Sequence, residues 1–257
     1  MATYTIQAVK YCEQLCPGPE IYYLSAWDEW INLYFYFWIV RGGGKTILVD
    51  TGIRDVNEIN PSVIRTFGEK GMFRMDMEKE NIPKLLKENG VKPEDVDYVF
   101  LTHLHYDHAS NVPLFPNATF VISRRGWIEI VAPRHPYLVT DFFPRDVLAY
   151  LVGEANDRLY LADDVEDNIV PGIGVFWTGG HTPCCQAIKI NTEKGVAVIT
   201  SDVVFLYDNI EKNHPIGLSY NIPECLDAME RIRKEADIIV PAHDPELLKR
   251  FPGGRIP

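Results

Sequence analysis

The chain has 257 residues, 46% of them hydrophobic and 24% charged, enough to bury one large core without disulfide staples. Its net charge of −11 repels phosphate backbones and anionic headgroups, so nucleic acid and membrane surfaces are excluded as main partners. The cysteines are odd in number (Cys12, Cys16, Cys184, Cys185, Cys225), and the start MATYTIQAVKYCEQ lacks a basic stretch followed by an apolar one, so reduced thiols in a cytoplasmic protein are expected.

Residues 4–10 read as the first strand and 33–40 as the second, inside the apolar run INLYFYFWIV. That run of ten residues is too short to span a bilayer, and its aromatic and β-branched content suits a buried strand. After the GGG turn at 42–44 comes a strand at 45–50. Residues 53–77, with Met72, Met75 and Met77 close together, show no clean period and read as a packed loop. A helix is expected over 76–89, ended by Gly90, with Pro83 marking a kink or the first turn of a shorter helix.

A short apolar strand at 97–102 runs into a histidine cluster. A strand at 118–123 and a helix at 124–132 follow. The stretch 133–156 is aromatic and proline-containing, with a helix at 144–152. Strands are expected near 157–161, 173–178, 186–190 and 196–200, then an amphipathic helix at 222–235 and a strand at 237–244 ending in histidine. This order predicts one α/β domain over residues 1–257, with two mixed sheets packed face to face and helices outside.

The motif THLHYDH at 102–108 carries the strongest chemical signal. His103 and His105 leave an extended strand on the same side, because side chains alternate with period two. Asp107 and His108 can face inward from the following turn, and imidazole with carboxylate suits zinc or a similar divalent cation. Three further residues stand at predicted strand ends: His181 in TGGHTP at 178–183, Asp202 in TSD at 200–202, and His243 in PAHD at 241–244. Each alone would be a turn or cap residue. Five of seven histidines at strand ends or in one loop instead point to a single site. His135 and His214 fall outside the set.

The ordered set VDTG at 49–52, HLHYDH at 103–108, GGHTP at 179–183, SD at 201–202 and PAHD at 241–244 resembles the metallo-β-lactamase superfamily. Within it, GGHTPCCQAIKI, the final helix and the compact length resemble the N-acyl homoserine lactonases. The resemblance implies a four-layer αββα sandwich and two divalent cations, zinc first, with iron, manganese or cobalt as alternatives. His103, His105 and His181 would hold one cation. Asp107, His108 and His243 would hold the other, with Asp202 bridging and Asp50 orienting a ligand histidine. It also implies hydrolysis of a small-molecule lactone or ester by a cation-activated water, proton movement by Asp107 or Asp202, and a homodimer.

Two positions depart from the pattern. Related lactonases carry a tyrosine three residues after the bridging aspartate, where this chain has Phe205; Tyr207 is the nearest candidate substitute. Cys184 and Cys185 stand where Gly-His is common and read as packing residues. Tyr22, Tyr23, Trp27, Trp30, Tyr106, Trp127, Tyr137, Phe142 and Phe143 are candidates for an apolar pocket wall. The alternatives are a glyoxalase-II-like thioesterase, a phosphodiesterase and, from other classes, a diiron oxidoreductase or a non-catalytic metal-binding protein. The short tail after His243 opposes the thioesterase, and His105 opposes the diiron reading.

Overall fold

A computed structural model describes residues 2–135 and 140–257. Tyr137 and part of the 133–156 stretch lie outside the described residues. Along the chain run β1 (Thr5–Pro17), α1 (Gly18–Ile21), β2 (Trp30–Gly42), β3 (Lys45–Val49), α2 (Val56–Phe67), α3 (Ile82–Glu88), β4 (Tyr98–Phe100), α4 (Tyr106–Ala109), β5 (Thr119–Ser123) and α5 (Arg124–Val131). Then come α6 (Arg145–Val152), β6 (Leu159–Ala162), β7 (Val165–Val170), β8 (Ile173–Trp177), β9 (Gln186–Thr192), β10 (Gly195–Ile199), α7 (Tyr207–Glu211), α8 (Ile222–Glu235), β11 (Ile238–Val240), α9 (Leu247–Arg250) and β12 (Arg255–Ile256).

The strands form a seven-stranded sheet in the order β12-β1-β2-β3-β4-β5-β6 and a five-stranded sheet in the order β11-β10-β9-β8-β7. Both are mixed: β3 to β6 run parallel beside the antiparallel β1–β2–β3, and parallel β11 joins the antiparallel β7–β10. β2 shows how the layers arise. Tyr36, Trp38 and Val40 enter the core between the sheets, while Phe35, Phe37 and Ile39 enter the outer core beneath the helices. A strand covered on both faces must be apolar throughout, which is why INLYFYFWIV has no polar alternation. On the far side, α8 buries Cys225, Ala228, Met229 and Ile232 in the same outer core as Val198 and Phe176.

The predicted four layers are present. Several elements differ from expectation. Residues 56–67, expected to be part of a loop, form α2, whose Val56, Ile59 and Val63 are buried at helical spacing; Asp55 caps it by accepting from the Asn57 amide, and Pro61 lies inside it. The helix expected over 76–89 is the shorter Ile82–Glu88, capped by Asn81 with Pro83 in its first turn. β1 runs on to Pro17 through a bulge between Lys10 and Cys12. The expected strand at 237–244 stops at Val240, and the chain then turns through the PAHD segment.

Candidate metal centre

The carboxyl ends of β3, β4, β8, β10 and β11 open on one edge of the paired sheets. Each is followed by a functional side chain: Asp50, the 102–108 loop, His181, Asp202 and His243. Open α/β sheets place ligands at the carboxyl ends of their strands for this geometric reason. Asp50, and Ser201 just before Asp202, depart from ordinary backbone geometry, holding φ of 59° and 56° without being glycine. Such conformations cost energy and persist where the surroundings over-determine them.

All seven expected donor residues come together. They fall into two groups, His103–His105–His181 and Asp107–His108–Asp202–His243, with ligand atoms inside each group within 4.8 Å of one another. Asp202 faces both. Its Oδ2 lies 3.7 Å from His103 Nε2 and 3.5 Å from His181 Nε2, while Oδ1 lies 3.4 Å from His108 Nε2 and 3.2 Å from His243 Nε2. The donor set suits divalent cations, and one further observation supports the fit. His103 Nε2 is buried without a hydrogen-bond partner, a costly arrangement that a cation would relieve, while His108 Nε2 has Asp107 Oδ2 at 2.9 Å.

The electrostatics agree. Burial, reinforced by neighbouring His108, holds the His103 imidazole well below its usual range. Burial and His181 bring His105 to about 3, and burial also lowers His181. Neutral imidazole is the metal-binding form. His108 differs: burial opposes its charge, but Asp107, Asp202 and Asp50 together raise it well above the usual range. Asp202 stays ionised despite burial, because His243, His108 and His103 hold it well below the carboxylate range.

Four of the five imidazoles are also oriented from behind. Asp50 Oδ2 lies 2.8 Å from His108 Nδ1, and Asp50 itself accepts from the Thr102 amide and hydroxyl, both at 2.8 Å. His103 Nδ1 faces Thr102 Oγ1 at 3.2 Å, His181 Nδ1 faces the Leu218 carbonyl at 2.6 Å, and His243 Nδ1 faces the Tyr34 carbonyl at 3.2 Å. Tyr11, buried beneath the site, donates to the Asp107 carbonyl at 2.6 Å. Sequence reasoning named Asp50 but missed Leu218, Tyr34 and Tyr11. The first two act through backbone carbonyls, which any residue supplies. Tyr11 lies in a strand far from the motif.

Beside the donors is a cavity of about 480 Å³, walled by Phe35, Phe67, Phe73, Phe142, Phe143 and Phe205, with Arg65, Asp141 and Tyr220 among its polar lining. Phe142 and Phe143 were expected there. Trp27 is instead 67% exposed, and Tyr106 points elsewhere. The expectation for Tyr207 is corrected. Phe205 faces His181 and His243, at centroid distances of 5.8 and 5.3 Å, whereas Tyr207 opens α7 and turns into the core between the sheets. The Tyr207 hydroxyl donates to the Ile239 carbonyl at 3.2 Å, and Arg250 covers its ring at 3.5 Å. Cys184 and Cys185 are buried, with Thr182 Oγ1 at 3.2 and 3.1 Å from their sulfurs, and burial raises Cys184 to about 11. They are packing thiols outside both donor groups.

Two mixed sheets between helices, with a histidine–aspartate cluster at one edge, define a class, and the chain belongs to the metallo-beta-lactamase superfamily, whose family model matches residues 36–243. Among curated relatives it is similar to an N-acyl homoserine lactonase of Bacillus cereus, 31% identical over 225 residues that cover 85% of this chain and 84% of the relative. Among solved structures it matches a mutant of the B. thuringiensis protein AiiA with N-decanoyl-L-homoserine bound at the active site. The TM-score is 0.80 at 23% identity, covering 98% of this chain and 99% of that one. It also matches AidC, a dizinc quorum-quenching lactonase in complex with a product, at TM-score 0.68 and 16% identity over 98% and 89% of the two chains.

Proposed function

We propose that this protein hydrolyses the ring ester of N-acyl homoserine lactones, or of a closely similar small-molecule lactone, at a two-cation centre. The observation that carries the reading is Asp202, whose two oxygens face separate imidazole groups beside an apolar cavity. His103, His105 and His181 would hold one cation, and Asp107, His108 and His243 the other, with Asp202 shared. Two such cations acidify a water and polarise an ester carbonyl. Zinc is the proposed metal, because the set mixes imidazole with few carboxylates and no thiolate.

The protein's own groups then do the rest. The phenylalanine walls bind the acyl part and exclude water from it. Asp107, at the cavity edge, takes the proton from the attacking water and returns it to the ring oxygen as the acyl carbon–oxygen bond breaks. Phe205 offers no hydroxyl to the carbonyl, so its polarisation would fall to the metal centre. The reading treats residues 1–257 as one catalytic domain, cytoplasmic, working on a diffusible substrate and paired as a homodimer. Among the described residues no helix is long and apolar enough to cross a membrane.

The test loads the protein with zinc, manganese, iron or cobalt. Acyl homoserine lactones, simple lactones, S-lactoylglutathione, nitrocefin and phosphodiesters are then assayed alongside metal analysis. Lactone opening with two metals per chain is expected. No turnover of any lactone or ester with both metals bound would defeat the reading, and preference for the thioester would move it to the thioesterase class.

A further inference from the structure

His181 is the donor residue that follows a glycine pair. Gly179 and Gly180 hold φ of 57° and 77°, and the His181 amide donates to the Gly179 carbonyl at 3.0 Å. Two such glycines leave the backbone free unless something outside the loop fixes it. The first turn of α8 does so. The Glu224 carboxylate accepts from the Gly180 amide at 2.9 Å. At the other side of that residue, the Gly180 carbonyl accepts from the Tyr220 amide at 2.7 Å, and from the Asn221 amide and the Ser219 hydroxyl, both at 2.9 Å. The fit leaves no room for a side chain. A Cβ on Gly179 would collide with Glu224 Oε2, and one on Gly180 would stand 2.6 Å from Cys225 Sγ.

The same segment reaches the imidazole. A carbonyl can only accept, so the contact between His181 Nδ1 and the Leu218 carbonyl puts the ring proton on Nδ1 and leaves the Nε2 lone pair free for a cation. Backbone and ring of one donor are therefore both held from residues 218–224. The second donor group is held elsewhere, His108 by Asp50 and His243 by the Tyr34 carbonyl. Among the bonds to the Gly180 backbone, the one from Glu224 is charge-assisted and so the strongest single contributor.

We propose that Glu224 is a positioning residue: by holding the Gly180 amide it aims His181, and so sets the affinity of the His103–His105–His181 cation and not that of the second. The inference rests on the two-cation part of the proposed function and is independent of which substrate is opened.

The experiment titrates metal-free protein with zinc by calorimetry and follows the imidazole nitrogens by NMR, which a chain of seven histidines allows ring by ring. Glu224→Ala should weaken the zinc that perturbs His181 by about tenfold to a hundredfold, and leave the zinc that perturbs His243 within about threefold. Hydrogen exchange of the Gly180 amide should quicken. Glu224→Gln keeps an oxygen for that amide and should recover affinity to within about fivefold of the unaltered protein. Equal weakening of both ions, a lower melting temperature with both affinities intact, or a Gln variant no better than the Ala one would overturn the proposal, since loss of a helix end alone gives those results. If Glu224→Ala does not fold, Ser219→Ala removes one donor to the Gly180 carbonyl and must weaken the same ion by about threefold or more; an unchanged affinity there overturns the proposal as well. An unaltered protein that takes up fewer than two zinc ions defeats the two-cation reading and the proposal with it, a result seen before any variant is made.

Discussion

Asp202 Oδ1 lies 3.2 Å from His243 Nε2, at the far side of a carboxylate whose other oxygen faces His181 at 3.5 Å. A single side chain therefore links donors from three separate strand ends. Removing it leaves buried imidazoles without their shared anion. Asp202→Ala should lose metal and activity together, with kcat/KM falling by about a hundredfold or more. Metal analysis beside lactone kinetics checks this. Full activity with both metals retained would take Asp202 out of the shared position. Chelation of the unaltered protein should abolish turnover, and added zinc should restore it.

Asp50 tests the support behind the site. It touches no cavity atom but fixes His108 through Nδ1 and is itself held by two bonds from Thr102. Asp50→Asn keeps the size but cannot present an oxygen to both partners in the same way. A loss of about ten- to a hundredfold in metal affinity is expected, with kcat recovering when metal is supplied in excess. Isothermal titration of the metal-free protein with zinc reads the affinity directly. An unchanged affinity would show that Thr102 alone suffices to orient the ring.

The donor residues were readable because their chemistry is unusual at strand ends: His103, His105 and His108 crowd one short loop, and His181, Asp202 and His243 each follow an apolar run. β2 was readable for the same reason of pattern. α2 was not. Its buried Val56, Ile59 and Val63 are separated by polar residues, and Pro61 argues against a helix when read locally. β7 escaped because its residues VEDNIV are charged, as an edge strand's should be. The rear of the site was the least readable part. Leu218 and Tyr34 hold histidines through carbonyls that carry no side-chain signature.

Tyr207 and Phe205 show how two residues of spacing reverse a side chain's destination. Tyr207→Phe should leave lactone kcat and KM within about twofold, since the hydroxyl serves Ile239 and not the substrate. It should instead cost about 1 kcal/mol of stability, the usual worth of one internal hydrogen bond. Urea denaturation measures the second effect. A fall of tenfold or more in kcat, with stability unchanged, would return Tyr207 to the catalytic centre.

Asp97 joins β3 to the start of β4, accepting from Lys45 Nζ at 2.6 Å and from the Thr46 amide at 2.9 Å. Burial opposes its charge, but these two donors hold its carboxyl below the usual value. A carboxyl whose folded pKa is depressed binds fewer protons in the folded chain than in the unfolded one, so its contribution is complete above the unfolded value, about 4. It is lost as pH falls through the folded value. Asp97→Asn should therefore melt about 2 °C below the unaltered protein at neutral pH. The gap should close as pH drops below about 4, because the native carboxyl then becomes neutral as well. Thermal scans of both proteins across that range are the check, and a gap that stays constant with pH would mean that the Lys45 contact contributes through geometry rather than charge.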